Sequence, residues 1–96
     1  MQAFTFNQRV ENLYKSYFST FENISISLDE DQIKIYLIDK QNLDSASLEL
    51  KKFKQYDQIT FWDGYSQSEV IETTSERESA KTLKRFMKKI LKILNR

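Results

Sequence analysis

The sequence predicts an α+β domain in which an N-terminal and a C-terminal helix pack on one face of a meandering antiparallel sheet of 4–5 strands. Three observations lead there. Apolar residues recur at helical spacing at both ends of the chain, they alternate with polar ones through the middle, and the 96 residues leave room for a single core only. A layer of two helices on one sheet face buries all three patterns at once. The whole chain, 1–96, is therefore read as a single domain.

From Phe6 the apolar positions run Val10, Leu13, Tyr14, Tyr17, Phe18 and Phe21, one face of a helix spanning roughly 6 to 21. Thr5 and Gln8 have the spacing of a capping box, and Asn23 can take the left-handed conformation that stops a helix. The period then falls to two. Ile24, Ile26 and Leu28, a turn at Asp29-Glu30-Asp31-Gln32, and Ile33, Ile35 and Leu37 predict a β-hairpin. Beyond Asp39 two patterns compete: Leu48 and Leu50 alternate as in a strand, whereas Leu43, Ala46, Leu50 and Phe53 keep helical spacing. A strand over 47 to 53 fits the meander better.

Ile59-Thr60-Phe61-Trp62, the Asp63-Gly64 turn signal and Glu69-Val70-Ile71-Glu72 predict a second hairpin. Ser75 and Glu78 form another capping box, ahead of a helix from about 76 to 95. The inner sheet face is then Ile24, Ile26, Leu28, Ile33, Ile35, Leu37, Leu48, Leu50, Ile59, Phe61 and Val70. The outer face carries Tyr36, Ile38, Thr60, Trp62, Tyr65 and Ile71, with Lys34 and Glu69 among them.

Composition narrows function mostly by exclusion. With 40% hydrophobic, 14% aromatic and 30% charged residues the chain has the profile of a folded domain. It has no cysteine, so disulfides and thiolate metal sites are excluded, and no histidine, which removes the commonest general base and metal ligand. With Gly64 the sole glycine and no proline, glycine-rich phosphate loops are excluded too. Asp29-Glu30-Asp31 lacks the twelve-residue calcium-loop pattern, and paired-carboxylate hydrolysis needs a deep cleft that a chain this short can scarcely build, which leaves a minimal carboxylate enzyme as the third reading, behind a binding protein and a basic-helix adaptor. No cofactor, metal or small-molecule substrate is expected, and the chain is read as a binding protein, not an enzyme. The N-terminus has no basic segment followed by an apolar run, so neither a signal peptide nor a membrane span is expected. The expected location is the cytoplasm.

Charge comes in blocks. Residues 1 to 50 hold four bases and eight acids, 57 to 80 one base and six acids, and 81 to 96 seven bases and no acid. On the last helix Lys81, Lys84, Arg85, Lys88, Lys89, Lys92 and Arg96 lie opposite an apolar arc of about 160°. That stripe is either a solvated helix face or a contact for a nucleic acid or an anionic membrane through Lys84, Lys88 and Lys92. No aromatic interleaves it, which disfavours single-strand recognition.

The outer-face aromatics point elsewhere. A solvated sheet face normally alternates to polar residues, and large exposed apolar patches mark interfaces. The candidate partner-binding residues are therefore Tyr36, Trp62, Asp63, Tyr65, Glu69 and Glu72: Trp62 and Tyr65 as anchors, the acids as surrounding charges. The competing reading scatters these aromatics, or covers them with the 40 to 47 segment.

The stretch Tyr56-Asp57-Gln58-Ile59-Thr60-Phe61-Trp62-Asp63-Gly64, running on through Glu69-Val70-Ile71-Glu72 to a terminal helix, resembles small immunity proteins of bacterial polymorphic-toxin and contact-dependent inhibition systems. The shared features are the Ile59-x-x-Trp62 strand with its glycine turn, and the acidic-apolar returning strand. The resemblance implies a cytoplasmic antitoxin that binds one secreted toxin domain and blocks its active site or docking surface.

Overall fold

The computed structural model describes residues 5–38 and 45–95. In chain order they form α1 (Phe6–Phe18), β1 (Ile24–Leu28), β2 (Gln32–Leu37), β3 (Ser47–Lys52), β4 (Asp57–Trp62), β5 (Ser68–Thr73) and α2 (Glu76–Leu94). The strands make one antiparallel sheet in the order β1-β2-β3-β4-β5, the meander expected from the alternation. Leu43, part of the competing helical pattern, lies outside the described residues, but 47–52 is a strand.

Helix α1 starts with the capping box that the sequence predicts. The Thr5 hydroxyl accepts from the Gln8 N–H at 3.1 Å, and Gln8 Oε1 accepts from the Thr5 N–H at 3.0 Å. It stops three residues before the expected Phe21. Ser19 caps it, and the Phe21 N–H donates to the Phe18 carbonyl at 3.0 Å in a tight turn that still sets the Phe21 ring against Phe18, centroids 6.5 Å apart. A turn thus satisfies the apolar spacing read as another helical turn. Nor does Asn23 end the helix in a left-handed conformation: among the described residues only Gly64 has positive φ. The Asn23 carbonyl instead accepts from the Ile38 N–H at 2.8 Å, opening the β1·β2 ladder.

One core joins the two layers. Ile33, Ile35, Leu48, Leu50 and Ile59 on the sheet meet Val10 and Phe18 of α1 and Leu83, Phe86, Met87 and Ile90 of α2, all essentially inaccessible. Phe61 stacks on Phe86 with centroids 5.5 Å apart. Helix α2 packs over β3, β4 and β5, while α1 packs beside it towards β1. Both helices therefore lie on the same sheet face, as expected.

The inner-face assignment holds through β4 and fails on β5. Val70 is 54% exposed and Ile71 packs against the core, the reverse of the expectation, and Glu69 likewise faces the helix layer instead of the outer face. Trp62 pairs with Ser68, so the loop between the strands is the five residues 63–67, and the register puts Ile71 opposite Ile59 and Glu69 opposite Phe61. A shift of one residue exchanges the two faces of a strand, and adjacent Val70 and Ile71 are compatible with either choice. Tertiary contacts with α2 decide it. The Glu69 carboxylate receives Lys89 Nζ at 2.6 Å and Arg85 Nη2 at 3.1 Å, and the Lys89 ammonium also sits 5.3 Å from the Phe61 ring centroid.

Helix α2 is capped by Ser75, whose Oγ accepts from the Glu78 N–H at 3.2 Å. The reciprocal half of the box is displaced by one residue: Glu78 Oε2 accepts from the Thr74 N–H at 3.3 Å. Within the described residues, no helix is long and apolar enough to cross a membrane.

Candidate protein-binding face

The sheet face away from the helices is organised in rows by the register. One row runs Ser25, Tyr36, Ser47, Trp62, Ser68 across all five strands. The next runs Ser27, Lys34, Glu49, Thr60, Val70. In the first row every aromatic has serines as its cross-strand neighbours, side chains too small to cover a ring. Tyr36 is 36% exposed, with the Lys34 ammonium 5.7 Å from its ring centroid, and Trp62 is half-buried. Ile38 continues the outward parity of Tyr36 and is 51% exposed. Tyr36, Ile38, Trp62 and Val70 thus place apolar surface on a face that none of the described elements covers.

The β4–β5 loop extends this face. Asp63 Oδ1 accepts from the backbone N–H groups of Tyr65, Ser66 and Gln67 at 2.7, 2.9 and 3.1 Å, so one carboxylate oxygen organises the loop. Gly64 adopts φ +82°, and a β-carbon there would sit 2.7 Å from the backbone nitrogen of Ala46. Only glycine meets both conditions without strain, which seats the loop against the start of β3. Tyr65 projects from it, 89% exposed.

The six candidate residues therefore separate. Tyr36, Trp62 and Glu72 share the open face, Glu72 exposed opposite Gln58, and Tyr65 stands at its end. Asp63 is committed to the loop backbone. Glu69 lies on the helix side, where hydrogen bonding from Lys89, with the charges of Lys89 and Arg85, holds its carboxyl below the usual carboxylate range. Lys84, Lys88 and Lys92 are exposed on the far side of α2.

A polar cluster not foreseen from sequence ties α2 to the sheet. Ser79 Oγ donates to Asp57 Oδ2 at 2.7 Å and lies 2.5 Å from Thr73 Oγ1. Because the single Ser79 proton goes to the carboxylate, Thr73 is the donor in the second contact. Ser79 is fully buried and Thr73 nearly so. The one available hint was a serine inside the apolar arc of α2, four residues before Leu83. Among the described residues the Ser79 hydroxyl bonds to a carboxylate and a hydroxyl, and it is inaccessible, so the cluster holds α2 on the sheet. Among the described residues no group of three histidines, cysteines or acids is placed to hold a metal ion. Comparison with protein-family models, curated proteins and solved structures finds no match to this chain.

Proposed function

We propose that the chain is a non-enzymatic protein-binding module that docks its partner on the open sheet face, and that the partner is a bacterial toxin domain which the chain neutralises as an immunity protein. The observation that carries the docking reading is the Tyr36–Ser47–Trp62 row, continued by Ile38, Val70 and Tyr65, on a face that none of the described helices covers; residues 40–44 of the segment that the competing reading lays over it fall outside the described residues. Tyrosine and tryptophan bring large contact area with few rotors and dominate interface hot spots. The toxin partner rests on the resemblance of the Tyr56–Glu72 segment.

The corrected placements change the roles within the surface. Trp62 and Tyr36 are the central anchors, Tyr65 an outlying one, and Glu72 a rim charge that steers association. Asp63 contributes through the shape of the loop, and Glu69 does not touch the partner. The test is binding kinetics against the protein encoded immediately upstream of this chain. Trp62→Ala should raise the dissociation rate and cost about 2 kcal/mol or more of affinity without unfolding the domain. Glu72→Gln should slow association at low salt only. Unchanged kinetics in a folded Trp62→Ala variant would reject this surface.

A second reading is favoured by Lys84, Lys88 and Lys92, an exposed stripe with no ion pair to another described residue. It makes the module an adaptor for nucleic acid or anionic membrane. Tight, steeply salt-dependent binding to RNA or anionic vesicles, lost in the triple Lys→Glu variant, would favour it over docking on the sheet.

A further inference from the structure

The sheet has two edges, and they are finished differently. The Asn23–Ile38 and Asp29–Gln32 hydrogen bonds set the parity of the β1·β2 ladder, so Ile24, Ile26 and Leu28 direct their backbone groups to the open side of β1. That side is partly closed: the Ile24 carbonyl accepts from the Tyr14 hydroxyl at 3.1 Å, and α1 packs alongside. On β5 the Asp63 N–H to Gln67 carbonyl bond fixes Phe61/Glu69, Ile59/Ile71 and Asp57/Thr73 as the hydrogen-bonded pairs. Ser68, Val70 and Glu72 therefore turn their N–H and C=O groups outward. The next outward N–H, that of Thr74, is taken by Glu78, which closes the edge where the strand ends. What remains is an unbulged edge of three donors and three acceptors beside a half-exposed valine.

We propose that this edge pairs with β5 of a second copy of the chain, antiparallel about a two-fold axis through Val70, joining two sheets into one. This goes beyond the partner-docking reading and does not depend on it. The register is selected by complementarity. Centring on Val70 sets Val70 against Val70 and Ser68 against Glu72 on each side, so every outward N–H meets an outward C=O. A shift of two residues brings the already occupied Thr74 into the ladder and leaves Ser68 or Glu72 unmatched. Val70, too exposed for a β-branched residue at the centre of an edge strand, is covered by its counterpart.

The helix layer agrees. Beside β5 a groove is lined by Ile71, Glu72, Thr73, Glu78, Lys81, Thr82 and Arg85, with both acids towards its Thr73 end, next to Lys81, and Arg85 towards the other. Because α2 runs back along β5, from Ser79 at Thr73 to Lys89 at Glu69, the two-fold axis turns the Glu78 end of one copy towards the Lys89 end of the other. The Glu72/Glu78 end of one copy is thus turned towards the Arg85/Lys89 end of the other, a self-complementary arrangement of the kind an isologous interface uses.

Sedimentation of the purified chain over a concentration series should show a monomer–dimer equilibrium. Val70→Pro removes an N–H that bonds to none of the described residues, so it should keep the native circular dichroism while weakening dimerisation by about tenfold or more. The chain has no cysteine, so Val70→Cys places a lone thiol on the axis, where paired α-carbons about 5.5 Å apart suit a disulfide. V70C should cross-link to a covalent dimer under mild oxidation much faster than S27C, which sits at the opposite end of the same face. A chain that stays monomeric throughout, a dimer that persists in folded V70P, or equal cross-linking of V70C and S27C would overturn the pairing. Should V70P fail to fold, the cross-linking comparison alone decides.

Discussion

Replacing Ser79 with alanine tests the tie between α2 and the sheet at its centre. The side chain is fully buried and serves both neighbours, donating to Asp57 at 2.7 Å and accepting from Thr73 at 2.5 Å. Truncation removes a charge-assisted bond, of the kind that contributes about 1.5 to 3 kcal/mol, and leaves the nearly inaccessible Thr73 hydroxyl without its acceptor. The better helix propensity of alanine returns about 0.5 kcal/mol. A net loss of about 2 to 3 kcal/mol follows, which for a domain this size lowers the melting temperature by roughly 10 to 20 °C. Urea denaturation followed by circular dichroism measures it. The double variant Ser79→Ala/Thr73→Val should lose less than the sum of the single losses, because it removes the orphaned hydroxyl as well. A cost below about 0.5 kcal/mol for Ser79→Ala, or strict additivity in the cycle, would refute the tie.

Gly64→Ala should cost about 1 to 3 kcal/mol, because positive φ and a β-carbon contact with the Ala46 backbone act together; thermal melting checks it. Phe61→Ala should cost about 3 to 5 kcal/mol by opening a cavity against Phe86, read from the urea midpoint. Glu69 gives a pH signature. Its folded-state carboxyl titrates below the ordinary value of 4.5, so its contribution is present above that pH and is lost as pH falls through the lowered folded value. The stability gap between wild type and Glu69→Gln should therefore be constant near neutrality and close in acid. It should also narrow with added salt, because the side chain is partly exposed. A gap that widens in acid would contradict the ion pairs.

The fold was legible wherever one apolar residue stood alone between polar ones. Ile24/Ile26/Leu28, Ile33/Ile35 and Leu48/Leu50 admit a single facing, and the observed burial follows it. Ambiguity entered where two apolar residues adjoin. Val70 and Ile71 fit either face, and the choice was made by a five-residue loop and by Glu69 reaching Lys89, twenty residues away. Local propensity contains neither. The same holds at Phe21, where a turn reproduced the contact a longer helix would have made. On the candidate face Tyr36 and Trp62 were readable from alternation alone. The loop-building role of Asp63 was not, since its acceptor geometry depends on a backbone path that Gly64 permits. Asp57 and Thr73 meet through the β4·β5 register, and Ser79 joins them only through the packing of α2 on those strands.

Trp62 is the sole tryptophan of the chain, so biosynthetic 5-fluorotryptophan places one fluorine on the proposed docking face and nowhere else. The decisive measurement is the ¹⁹F spectrum of that residue during titration with the protein encoded upstream, with complex formation followed independently by sedimentation. Docking on the open face requires the resonance to shift or broaden in step with complex formation, and its solvent isotope shift to fall as water leaves the ring. A complex that forms while the Trp62 resonance and its isotope shift stay unchanged would contradict it.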